Sequence, residues 1–352
     1  MMFKRAVIIS VGVLLFTAGT GLFSQEAKDK KHASTLIEVE RMYKGGLKWL
    51  KRAQQPNGTF SGGGRDSYAS QPGVVGLAVV AMLAHGDDPN FGPYAMNIRR
   101  SLKFILDAQN SRTGYIGSSM YNHGFASLAL AEAYGTVLPA RSKSDKELKI
   151  GRGLTNAVQL ILRAQKVRKS AQYQGGWRYS PESSDSDTTV SGANFVALLA
   201  AVNAGIPVPK NSIKDALGYI EECQSPSDGG IGYTTASGSN GPRTAIGALM
   251  FALAKKKDKP PFKAAMNYLY THENNAGSSH YYHYYLYYAS QAFFHGPDRE
   301  QWERWNAQNI ATLKQSQQDD GSWTSNFGAT FATSSSLLSI ALNYRFLPIY
   351  ER

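Results

Sequence analysis

The sequence predicts an all-α chain of six helical hairpins, their first helices forming an outer ring and their second helices an inner ring. Two observations carry this. A short phrase recurs along the chain, and a fixed period of several tens of residues is the mark of stacked supersecondary units. Between copies, helical stretches with charged residues alternate with stretches that carry almost none.

The phrase is best preserved at Gln317-Gln318-Asp319-Asp320-Gly321-Ser322-Trp323. The first copy keeps Gln54, Asn57, Gly58 and Phe60 at the same offsets, and looser copies start at Gln109, Gln165 and Gln224. These five glutamines stand 55, 56, 59 and 93 residues apart, so the last interval is two repeats wide and a degenerate unit falls around His272. Within a repeat, Gly supplies a positive-φ stop for the outer helix. Asp or Asn beside it accepts from free N–H groups, Trp or Phe covers the joint, and the Gln amide satisfies backbone groups of the neighbouring hairpin.

Taken in order, the first outer helix shows Ile37, Met42, Leu47 and Leu50 on one face, and the second shows Ile98, Leu102, Ile105 and Leu106. The inner stretches fall at Gly73–His85, Asn122–Tyr134, Thr188–Ala204, Arg243–Ala254, His280–Phe294 and Ala329–Tyr344. They are rich in Ala, Gly and Ser, which suits helices buried on all sides and packed closely. Pro139–Lys149 reads as a loop between hairpins, and Ser180–Asp187 as an exposed acidic, serine-rich one.

The repeated QxxDGSW phrase, with its outer and inner helices, resembles the prenyltransferase/squalene-cyclase repeat superfamily over about residues 35–347. That resemblance implies an (α/α)6 toroid, a closed barrel in which the inner-helix starts converge on one mouth. Function does not follow, because the fold hosts terpene cyclases, protein prenyltransferase β-subunits and non-enzymatic domains.

Before the repeats, Lys4 and Arg5 precede an apolar run from Ala6 to Phe23. Residues 1–24 read as a secretory signal peptide, 25–34 as a linker and 35–352 as the toroid, which places the protein in the periplasm or outside the cell. The alternative is an uncleaved N-terminal membrane anchor. The lone Cys223 cannot form an intrachain disulfide. With a formal charge of +12 and basic clusters at Lys28–Lys31, Arg141–Lys149, Arg163–Lys169 and Lys255–Lys263, the surface is either simply solvated or drawn to an anionic envelope. No nucleic-acid motif is present, and oligomeric state is not readable.

Several residues could carry chemistry. Asp185 and Asp187, entering the third inner helix, match the first two acids of the DxDD-type motif of class II terpene cyclases, while Thr188 replaces the third. By that resemblance Asp187 would be the proton donor with Asp185 its neighbour; the same acids also make an ordinary helix cap. His123 begins the second inner helix and, in a toroid, would face the same mouth as Asp187 and His280. In the fifth inner stretch Tyr281, Tyr284, Tyr285 and Tyr288 share a helix face, with His280 and His283 a turn apart. Such a face can line a cavity for a cation, a branched hydrophobe or a sugar, or simply pack. The zinc triad of prenyltransferases is missing, and no cofactor is expected. Signatures of hydrolases and phosphate loops are also absent.

Three functional readings follow. The first is an exported protein that binds a hydrophobic, isoprenoid-type or glycan ligand in a central aromatic cavity. The second is a proton-initiated isoprenoid cyclase, and the third a polysaccharide lyase or hydrolase on a related toroid.

Overall fold

The computed structural model describes residues 35–61, 66–137, 148–272, 280–343 and 347–351. The signal-like leader, the linker, Gly62–Gly64, most of Pro139–Lys149 and the loop after His272 lie outside the described residues. Among the described residues twelve helices build the ring. In chain order they are α1 (35–53), α2 (Pro72–Ala84), α3 (Ala95–Asp107), α4 (Met120–Val137), α5 (Ile150–Gln165) and α6 (Thr188–Asn203). They continue as α7 (Lys210–Glu222), α8 (Gly241–Leu253), α9 (Pro260–Thr271), α10 (Tyr282–His295), α11 (Arg299–Ser316) and α12 (Ala329–Ala341). Even-numbered helices are inner and odd-numbered ones outer, matching the six predicted inner stretches.

The inner ring closes. Each even helix packs on the next, from α2 through α4, α6, α8 and α10 to α12, and α12 returns to α2. Every residue of α2 is buried, as are Thr330–Ala341 of α12. Small residues make the approach close enough. A Cβ on Gly76 would stand 2.7 Å from the Phe125 carbonyl oxygen, and one on Gly124 would stand 3.0 Å from the Ala193 backbone. Outer helices are amphipathic: in α3 only Asn97, Ile98, Ser101, Leu102 and Ile105 are buried.

The repeated phrase is the joint between neighbouring hairpins. Gln54, Gln109, Gln165, Gln224 and Gln317 each donate to a carbonyl of the next outer helix, namely Asn97, Gly153, Ser212, Pro261 and Met42. Three residues further along that helix, the backbone meets the positive-φ glycine of the joint. A Cβ on Gly58, Gly114, Gly175, Gly229 or Gly321 would lie 2.1–2.7 Å from the carbonyl oxygen of Arg100, Asn156, Asp215, Ala264 or Gly45. Glycine is therefore required twice over, for its φ and for the contact. Trp177 and Trp323, both buried, donate from the indole nitrogen to Ile161 and Leu313 at the end of their own outer helices. The last joint seals the ring: Gln317 bonds Met42, Arg52 donates to the Asp320 carbonyl at 2.6 Å, and Lys314 pairs with Glu38. None of the described helices is long and apolar enough to cross a membrane.

Candidate functional site

Because inner helices all start at the same end of the ring, their first turns and the loops before them surround one cavity of about 840 Å³. Its wall is aromatic. Tyr121 and Phe125 come from α4, Tyr284 from α10, Phe331 from α12, and Tyr68, Tyr179, Tyr233, Tyr281 and Phe327 from the loops. Gly73, Val74 and Leu77 of α2 complete the apolar surface, while Gln71, Asn122 and Asn240 bring amides to it. Tyr68, Tyr179 and Tyr281 are 44 %, 46 % and 51 % exposed, so the cavity reaches solvent between them. Deeper in the ring, the Tyr287 ring meets Phe125 and the Tyr288 ring meets Tyr284, both with almost no exposure. These buried tyrosines close the bottom.

Hydrogen bonds hold the wall in place. The Tyr121 and Tyr284 hydroxyls meet at 2.5 Å across the ring, and burial raises both phenols well above their ordinary range. Tyr179 and Tyr233 share a hydroxyl contact of 2.9 Å. The Arg178 guanidinium lies 5.5 Å from the Tyr179 ring centroid and 5.3 Å from that of Tyr233. Asn122 donates to Gln71 and accepts from the Gly73 N–H, which fixes the start of α2 against α4.

The sequence-predicted residues divide. His280, Tyr281 and Tyr284 line the cavity. Tyr285 turns towards α8, where its ring edge would stand 3.4 Å from a Cβ on Gly241, and Tyr288 lies below the floor. His283 does not line the cavity, and burial lowers its pKa to about 4. Nor does His123. Its Nδ1 accepts from the Ile116 N–H and its Nε2–H donates to the Ala157 carbonyl, at 3.1 and 3.0 Å. The ring is fully buried, and that burial lowers its pKa to about 4. In other repeats Ser191, Thr244 and Thr333 make the same acceptor contact, to Trp177, Ile231 and Trp323. His123 therefore occupies a joint position that a hydroxyl holds in three other repeats.

Asp187 is the N-cap of α6. Its Oδ1 accepts from the N–H groups of Thr189 and Val190 and from the Thr189 hydroxyl, at 2.8, 2.8 and 2.6 Å. Its Oδ2 is buried, hydrogen-bonds to nothing and faces Arg178 Nε at 3.5 Å. Burial raises this carboxyl above the ordinary range, while the Thr189 hydroxyl, the N–H groups and Arg178 pull the other way. Thr189 and Tyr121 line the cavity and Asp187 does not. Asp185, more exposed, pairs with Arg178 at 3.2 Å. The two acids thus grip the guanidinium that lies against the mouth tyrosines.

Tyr121, Phe125, Tyr179, Tyr233 and Arg243 were not singled out by the sequence reading. One signal was available. Ser118, Tyr179 and Tyr233 each follow the buried joint residue (Ile116, Trp177 or Ile231) by two positions, and extended backbone returns every second side chain to the same side. Among the described residues no cluster of three His, Cys, Asp or Glu side chains forms.

No protein-family profile and no curated sequence matches the chain. Its fold matches solved structures. One is the type II terpene cyclase MstE from Scytonema, solved as a variant with geranylgeranyl dihydroxybenzoate. It is 15% identical with a TM-score of 0.58, over 90% of this chain and 99% of that one. Another is an inactive variant of an α-1,6-mannanase from Salegentibacter sp. HEL1_6 with α-1,6-mannotriose. Here identity is 9% and the TM-score 0.65, over 87% of this chain and 99% of that one. A protein from Actinoplanes matches at 14% identity and a TM-score of 0.55, over 87% of this chain and 99% of that one. At these identities what is shared is the architecture: the chain has the α/α-toroid fold.

Proposed function

We propose that this protein is an exported toroid that binds, without transforming it, a small molecule with an extended apolar body, of isoprenoid type, in the aromatic cavity. One observation carries the reading: the cavity has a size suited to a small-molecule ligand, and none of the described residues lining it is an acid. Proton-initiated cyclisation needs a carboxylic acid within reach of an alkene, whereas Asp187 spends one oxygen on the α6 cap and turns the other to Arg178. Glycoside hydrolysis needs two carboxyl groups flanking the scissile bond. Tyrosine faces exposed at the mouth favour a ligand that stacks. Export is supported by Lys4, Arg5 and the apolar run to Phe23, and N-terminal sequencing of the mature protein tests it.

A glycan is the second reading. It is favoured by the amides of Gln71, Asn122 and Asn240 beside those tyrosines and by the mannotriose complex of the structurally similar mannanase.

The test is mass spectrometry of small molecules released from natively purified protein, paired with tyrosine-fluorescence titration of farnesol and α-1,6-mannotriose. Saturable binding of farnesol that Leu77→Trp abolishes supports the first reading, and the same result with mannotriose supports the second. An empty cavity with neither probe bound rejects both.

A further inference from the structure

We infer that the ligand carries an anionic head group and that Arg243 receives it. The inference rests on the ligand-binding reading above. Among the described lining residues there is one guanidinium, no lysine and no carboxylate. Arg243 is the third residue of α8, directly behind the Asn240 cap. Its terminal NH₂ donates to the Gly238 carbonyl, its Nε is buried with no hydrogen-bond partner, and its Cζ lies 5.8 Å from the Tyr233 ring centroid.

Arg178 provides the contrast. It sits outside the lining and is neutralised by Asp185 and Asp187. Burial depresses the pKa of Arg243, and among the described residues the groups that act against it are the phenols of Tyr233, Tyr268 and Tyr281. A partly buried cation without a carboxylate pays desolvation with no compensating pair. A carboxylate or phosphate entering the cavity would supply that pair through charge-assisted hydrogen bonds, including one to the idle Nε. The inner-helix starts add positive potential of the same sense. Where acids cap them, at α6 by Asp187 and at α12 by Asp66, the field is partly met. The α8 cap is a neutral Asn, the start of α2 is met by the neutral Asn122 amide, and the N-cap residue of α10 makes no side-chain bond. An apolar body would then lie against Leu77, Phe125 and Phe331, with its head turned to α8.

The experiment compares three probes with one C15 body: farnesol, farnesoic acid and farnesyl monophosphate. Their Kd values are measured by titration calorimetry on the purified protein and on its Arg243→Gln and Arg243→Lys variants, with melting temperatures as the check on folding. We expect one or both anions to bind wild type at least about tenfold more tightly than the alcohol. Arg243→Gln should erase that preference while leaving farnesol affinity within about twofold, and Arg243→Lys should keep part of it. Whichever anion binds more tightly identifies the head as carboxylate or phosphate. Equal binding of all three to wild type overturns the inference and leaves the cavity reading standing. So does a preference that survives in Arg243→Gln, or an equal loss of all three probes in that variant. If none of the three binds wild type, the isoprenoid reading of the cavity falls first, and this inference with it.

Discussion

Asp187 separates a capping carboxylate from a catalytic acid, and two substitutions distinguish the roles. Asp187→Asn keeps an oxygen where Thr189 and Val190 need an acceptor, but it cannot protonate an alkene. Asp187→Ala removes the acceptor from two N–H groups and a hydroxyl, all within 2.8 Å. Losing an N-cap costs about 0.5–2 kcal/mol, and a cap buried with three donors belongs near about 2 kcal/mol. Entropy of unfolding near 2 cal/mol/K per residue, over roughly 300 residues, converts that to a fall of about 3 °C in Tm for Asp187→Ala. Asp187→Asn should fall by less than about 1 °C. The assay is scanning calorimetry of the three proteins, run beside incubation with squalene and geranylgeraniol and gas chromatography of the products. The reasoning is refuted if wild type yields a cyclic product that Asp187→Asn, with unchanged Tm, fails to make.

Two further outcomes follow from the ring joints and the buried imidazoles. Gly175→Ala forces a positive φ on a β-carbon and places it 2.1 Å from the Asp215 carbonyl oxygen. Left-handed strain of about 1–2 kcal/mol plus displacement of α7 should therefore cost at least about 3 kcal/mol, read as a shift in the urea midpoint, whereas Gly205→Ala, with a similar φ and no neighbour, should cost only the strain. His123, His283 and His295 have pKa values lowered to about 4 by burial, against an unfolded value of about 6.5. Their neutral forms contribute stability that is fully present above pH 6.5 and lost as pH falls through 4. For His123 alone the loss is up to about 3 kcal/mol, and a urea midpoint that stays level between pH 7 and 4 would contradict it.

The ring was legible because its joints are chemically demanding. A Gln that must bridge two backbones, and a Gly that must touch a third, leave the same letters wherever the geometry recurs. The mouth was less legible. Tyr281, Tyr284, Tyr285 and Tyr288 do share a face of α10, yet an inner helix of a closed ring meets a cavity, two flanking helices and a packed interior around its circumference. Tyr285 is drawn to α8, and Tyr288, one turn deeper than Tyr284, falls below a cavity that spans only the top of the ring. His123 misled for a different reason. Its counterparts are Ser191, Thr244 and Thr333, and nothing in a single repeat says that an imidazole nitrogen has taken over a hydroxyl's acceptor role.

Joint and mouth are separable in this ring. The polar contacts that join neighbouring hairpins run between outer helices and joint loops, through Gln, Gly and the buried Trp or Ile, and none of those side chains lines the cavity. Of the residues that do line it, Ser118, Tyr179 and Tyr233 sit two positions after the joint residue, and the others lie in the loops before the inner helices or in the first two turns of those helices. None of the described lining positions holds an acid. At α6 the cavity-facing residue is Thr189, and the acid stands two residues earlier, behind it and beside Arg178. Moving the carboxylate from Asp187 to Thr189 would bring an acid to the cavity and strip the helix of its cap. The present arrangement keeps the cap, uses both acids to hold Arg178 against Tyr179 and Tyr233, and leaves Arg243 as the one guanidinium among the described residues of the cavity wall.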